Sequence, residues 1–263
     1  MSLLEPALII RTLRDAGCVF AEDEAALLVA TARDDAELAH MVEQRVAGLP
    51  LEHVLGWAEF HGLRIEVDPG VFVPRRRTEF LVAEAIALSR PGAVVLDVCC
   101  GSGALGVAVA SAQDGVELYA ADVEPRAVRN ARRNVEPLGG QVFEGDLFEP
   151  LPAELKGRVD LLLSNVPYVP SAEIQLLPAE ARVHEPLVTL DGGSDGLAVL
   201  RRVAAECREW LAPGGHVFVE TSDQQAGTAV DVFTQYGLDT RVTEDVDLSA
   251  TVVVATASDR RRP

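Results

Sequence analysis

The chain has 263 residues, with 41 acidic side chains against 23 basic ones, a formal charge of −18 and 48% apolar residues. That suits one large domain, alone or with a small companion, and supports a sizeable core; the charge argues against a nucleic-acid partner, since nucleic-acid binders carry a basic footprint. No run of 18 apolar residues and no basic start to an apolar N-terminus occur, so the expectation is a cytoplasmic protein with no membrane partner, and the four cysteines lack metal-ligand spacing.

Residues 2–47 read as helices. Leu3, Leu4, Leu8, Ile9 and Leu13 repeat at helical spacing, Gly17 is a stop, and 24–32 and 36–46 are two further helical runs. Residues 50–74 change character. Segments 57–60 and 63–67 alternate about His61-Gly62, which is a hairpin signal, and Asp68-Pro69-Gly70 is a turn. Arg75, Arg76 and Arg77 follow, then Thr78, which predicts an N-cap for a helix through Leu88. The expected organisation is a helical substrate-side domain (1–50), a hairpin linker (51–75) and a larger domain (76–263).

From Val94 onward strands and helices alternate. Strands are predicted at 94–97, 116–121, 141–144, 160–164, 216–221, 239–243 and 251–255. The last two should form an antiparallel hairpin, and the whole a doubly wound α/β sheet. The first strand ends at Asp97 and runs through Cys99 and Cys100 into Gly101-Ser102-Gly103 and an apolar helix. A strand, a glycine turn and a helix make a ligand crevice at the strand's carboxyl end. Read literally, residues 101–106 are G-x-G-x-x-G, a weak dinucleotide signal by itself. Asp97 lies inside the crevice, where it would repel a pyrophosphate and attract an ammonium group. Asp122 ends the next strand, where a carboxylate accepts from ribose hydroxyls. An acid for an amino group and an acid for a ribose favour S-adenosyl-L-methionine over NAD.

The fourth strand ends in Ser164-Asn165-Val166-Pro167-Tyr168, at the same crevice. A planar NH2 group conjugated to a carbonyl or a ring is a poor nucleophile. Two acceptors in its plane would hold it and favour rehybridisation of the nitrogen. The Asn165 side-chain oxygen and the Val166 backbone C=O are candidates, with Tyr168 stacking on the planar group. The methyl sulfonium is already activated, so orientation matters more than a strong base.

The chain resembles the HemK/PrmC family of protein-(glutamine-N5) methyltransferases over nearly its whole length. The resemblance rests on residues 50–56 with Phe60, on Val73-Pro74-Arg75 with Thr78-Glu79, and on Asp97 with 101–103. It continues through Gly145-Asp146-Leu147-Phe148, Asn165 to Tyr168, Glu185-Pro186, Asp195-Gly196-Leu197 and Pro213-Gly214-Gly215. It implies a seven-stranded Rossmann-like methyltransferase fold with a small N-terminal helical domain, and an adenine-side role for Asp146 and Leu147. It implies a protein acceptor, the glutamine of a Gly-Gly-Gln motif in a translation termination factor. The chain departs from the family pattern in several places. Cys99-Cys100 replace a glycine-threonine pair, Arg76 and Arg77 replace Pro and Asp, Val166 replaces Pro, and Thr221-Ser222 replace Ile-Gly. Residues 247–250 depart from a terminal Asp-Leu-x-Gly. Two other readings stay open: methylation of a nucleobase exocyclic amine, and a non-catalytic S-adenosylmethionine-binding paralogue.

Overall fold

The computed structural model describes residues 5–258; the expected helical positions Leu3 and Leu4 lie outside them. Helices α1 (Pro6–Asp15), α2 (Ala21–Thr31) and α3 (Asp35–Val46) bury one stripe each. Ile9, Leu13, Ala25, Leu28, Leu38, Met41 and Val42 meet in a cluster of their own. Pro6 opens α1, where a missing N–H costs nothing. The Asp34 carboxylate caps α3 by accepting from the Glu37 N–H at 2.8 Å.

A short helix α4 (Leu51–Leu55) leads into the hairpin of β1 (Trp57–Phe60) and β2 (Leu63–Glu66). Its turn residues His61 and Gly62 have φ of 51° and 73°, the left-handed pair whose twist matches the flanking strands. The hairpin expected as a linker is built into the main core. Phe60, Ile65, Val67, Val71 and Val73 share a cluster with Val95, Leu161 and Phe218 of the large sheet.

The large sheet has seven strands: β3 (Val94–Val98), β4 (Glu117–Asp122), β5 (Gln141–Glu144), β6 (Val159–Ser164), β7 (Leu211–Thr221), β8 (Leu238–Asp245) and β9 (Ala250–Ala257). Their order is β5-β4-β3-β6-β7-β9-β8. The first five are parallel, and β9 enters antiparallel between β7 and β8. The expected closing hairpin is therefore present. Strand β7 begins at Leu211, earlier than expected, because its pairing with β6 shifts register and carries 213–215 along.

Helices α5 (Glu79–Leu88), α6 (Ala104–Ala112) and α7 (Pro125–Val135) cover one face of the sheet. Helices α9 (Ala198–Trp210) and α10 (Asp223–Gln235) cover the other. From β3 the chain winds outward through β4 to β5, then returns to place β6 on the opposite side of β3. That reversal opens a crevice at the carboxyl ends of β3 and β6, where open α/β sheets bind ligands.

Thr78 holds the expected N-cap position of a helix that ends at Leu88, but without a side-chain capping bond. Arg76–Thr78 is a 3-10 turn continuous with α5, so Thr78 already has helical φ and ψ and its hydroxyl caps nothing. That hydroxyl faces Asn165 instead.

Candidate active site

A cavity of about 560 Å³ occupies this crevice. One side of it comes from the turn after β3. Cys99, Gly101 and Gly103 have φ of 56°, 56° and 79°, so the backbone alternates through left-handed conformations that L-residues disfavour. A Cβ on Gly101 would point into open space, and Gly101 lines the cavity. Glycine there leaves the backbone bare for a ligand. A Cβ on Gly103 would strike Val135 Cγ2 at 2.8 Å; Gly103 seats the turn on α7 and is not part of the wall.

Asp122 is buried at the end of β4. Its Oδ2 accepts from the Gly101 N–H at 2.8 Å and its Oδ1 from the Glu124 N–H at 2.9 Å. Burial raises its pKa against those two donors. Asp146 and Leu147 complete this side with Cys99, Cys100 and Ser102, and Asp146 pairs with Arg202 at 2.7 Å. Asp97, expected at the ammonium end, is 1% exposed and absent from the cavity wall. Its Oδ2 accepts from the Gly106 N–H at 3.0 Å. The carboxylate turns under α6 to hold the helix on the strand, and burial pushes its pKa up to about 7.

The opposite side begins after β6. Asn165, Val166, Pro167 and Tyr168 all line the cavity. Asn165 Nδ2 donates to Thr78 Oγ1 at 3.4 Å, which leaves its Oδ1 without a protein donor among the described residues. The Tyr168 hydroxyl donates to Glu220 Oε1 at 2.8 Å. The Tyr168 C=O accepts from Gln225 Nε2 at 2.9 Å. Burial, then the Glu220 charge, raises the phenol's pKa.

Arg75 and Arg77 both enter this wall. Glu185 is buried and accepts from Arg75 Nη2 at 2.6 and 2.7 Å and from the Val73 N–H at 3.2 Å. Burial still lifts its pKa, because the arginine only partly offsets the lost hydration.

Sequence reasoning missed two contributors. The roof formed by Leu177, Pro178, Glu180, Ala181 and Val188 comes from short turns and the six-residue helix α8 (Ala179–His184), which have no periodic signature. Gln225 had a readable signal, since Ser222 and Gln225 have the spacing of a capping box.

The residues fit S-adenosylmethionine. The cavity is of small-molecule size, the Gly101 backbone is open, and the Asp122 carboxyl stands beside it at the end of β4.

The Methyltransferase small domain family matches residues 62–191. The release factor glutamine methyltransferase of Geobacter sulfurreducens is 41% identical over 75% of this chain and 69% of its own length. That of Mycolicibacterium smegmatis is 39% identical over 83% of this chain and 78% of its own. A methyltransferase structure from Pyrococcus furiosus superposes with a TM-score of 0.57 at 19% identity, over 75% of this chain and 90% of that one, a likeness of fold. With these relatives, the doubly wound sheet and the paired walls at its switch point, the chain belongs to the release factor glutamine methyltransferase family, whose methyl donor is S-adenosylmethionine.

Proposed function

We propose that this enzyme transfers a methyl group from S-adenosylmethionine to the side-chain amide nitrogen of a glutamine in a peptide chain release factor. The observation that carries the reading is the Asn165–Tyr168 loop facing the Gly101 turn across one cavity. When bound, S-adenosylmethionine supplies a methyl group activated on a sulfonium. Gly101, Ser102 and Asp122 would hold its polar end and ribose, and Asp146 with Leu147 its adenine.

The acceptor nitrogen's lone pair is conjugated with its carbonyl. Asn165 Oδ1, kept free by the Thr78 contact, and the Val166 C=O would take its two N–H groups. That orients the nitrogen and favours its rehybridisation toward attack. The surplus proton leaves from the methylated nitrogen, whose acidity rises once conjugation is lost, so no strong base is needed. Proximity and orientation are the main contributions.

We further propose that residues 1–50 act on the substrate side. The described residues among them, from 5 on, have their own core and a direct tie to the roof. Arg45 on α3 binds Glu24 at 2.7 Å and Glu180 on α8 at 2.6 Å, and Glu180 lines the cavity. The acidic surface suits a protein acceptor better than a nucleic acid.

The test is incubation with labelled S-adenosylmethionine and a release factor, then peptide mapping. Label on a glutamine side chain supports the reading, and label confined to nucleic acid, or cofactor binding with no transfer, overturns it. A variant beginning at Pro50 should still bind cofactor and lose transfer to the protein; full transfer would refute the substrate-side assignment.

A further inference from the structure

We propose that Glu220 and Arg77 form a positioning pair that fixes the Tyr168 ring against the acceptor amide. The inference rests on the methyl-transfer reading of this cavity. Glu220 lies in β7 and is 2% exposed. It is absent from the cavity wall and works through two residues that belong to it. Its Oε1 accepts from the Tyr168 hydroxyl at 2.8 Å and from Arg77 Nε at 3.0 Å. The Arg77 guanidinium carbon also stands 5.6 Å from the centre of the Tyr168 ring. One oxygen thus ties the ring's hydroxyl end, and the cation that shares it leans on the ring.

The second oxygen sharpens the argument. Glu220 Oε2 is buried and has no hydrogen-bond partner among the described residues. A carboxylate out of water with one oxygen unsatisfied is costly unless a counter-charge stands beside it. Arg77 is that charge. Its Nε reaches the one satisfied oxygen at 3.0 Å, so the arginine and the buried glutamate belong to one device. Its other support is Gln225, which holds the Tyr168 backbone, so the residue is fixed at both ends before an acceptor arrives. A ring placed in advance orders the planar amide without the entropy cost of arranging it during the reaction.

The experiment uses the full-length protein in four forms: wild type, Glu220→Gln, Tyr168→Phe and the double variant. Groups that act as a unit show losses that do not add. Each single change is expected to lower kcat by roughly 10–50-fold, about the value of one charge-assisted hydrogen bond. The double variant should be no slower than the worse single one, and the calorimetric Kd for S-adenosylmethionine should move less than about 2-fold. Multiplying losses, or a cofactor affinity that falls in step with kcat, would overturn the proposal, as would full activity in Glu220→Gln.

A second measurement needs neither acceptor nor cofactor. In protein labelled with ¹³Cζ-tyrosine, the Tyr168 resonance, identified by its loss in Tyr168→Phe, should shift in Glu220→Gln and in Arg77→Met at neutral pH. An unmoved resonance refutes the pairing even if the glutamine reading stands. A moved resonance with no methylated glutamine in wild type keeps the pairing and removes that reading. Arg77 lies at the exposed rim, so Arg77→Met serves if Glu220→Gln does not fold.

Discussion

The two walls of the cavity are made in different ways. The wall assigned to the cofactor comes from one stretch of sequence, residues 99–147, and consists largely of backbone: a left-handed turn, a bare Gly101 and a carboxylate receiving two backbone N–H groups. The wall assigned to the acceptor comes from segments near 75, 165, 180 and 190. It is held by side-chain pairs that span 110 and 143 positions. A wall of backbone is set by local sequence and changes little with the acceptor. A wall of distant side-chain pairs can be retuned one pair at a time.

The largest test of that contrast is Asn165→Ala. It removes the free Asn165 Oδ1 acceptor, and the rate should fall on the order of 10²–10³-fold, as for loss of one preorganised polar contact. Cofactor affinity, measured by calorimetry, should hardly move; equal loss of both would merge the two walls. Asp122→Ala is the mirror image. It strands two backbone donors and removes the proposed ribose acceptor, so the Kd for S-adenosylmethionine should rise on the order of 10–100-fold. At saturating cofactor, kcat should stay within about 3-fold of wild type by the same separation of binding from chemistry.

A subtler test uses pH. Burial raises Asp97 from 3.8 to about 7, so between these values the folded protein holds a proton that the unfolded one has released. That stabilisation is complete below the unfolded value and is lost as pH rises through about 7, by up to about 1.4 kcal/mol per unit. Cofactor-free protein should melt lower near pH 7.5 than near pH 5.5, and Asp97→Asn should flatten the difference. An unchanged slope in the variant would show that Asp97 does not titrate there. Smallest of all is Cys99→Gly. Relief of a left-handed L-residue, offset by glycine's larger entropy loss, should raise stability by about 0.5 kcal/mol, read from denaturant midpoints.

The same contrast decides what the sequence disclosed. The sheet, its closing hairpin, the Gly101 turn, Asp122 and the Asn165–Tyr168 loop were legible because each is a local pattern of period, glycine or strand end. Asp97 was placed correctly along its strand and wrongly in space. A strand end fixes where a residue sits, but Gly106, nine positions on, decides which way the carboxylate turns. Thr78 takes the N-cap position that local sequence predicts, but the use of its hydroxyl is set by Asn165, 87 positions away. The hairpin looked like a linker because its partners, Val95 and Leu161, lie in other elements. Arg77 could not be matched to Glu220 by any local rule.

Cys99 and Cys100 carry a further consequence. A thiolate beside a sulfonium methyl donor would compete with the intended acceptor and alkylate the enzyme itself. Only the ionised sulfur is strongly nucleophilic. Burial first, and then the negative charges of Asp122 and Asp97, lift both thiols far above their ordinary range. Burial foremost, with the neighbouring carboxylates adding to it, keeps both sulfurs protonated and so weakly nucleophilic toward a methyl donor.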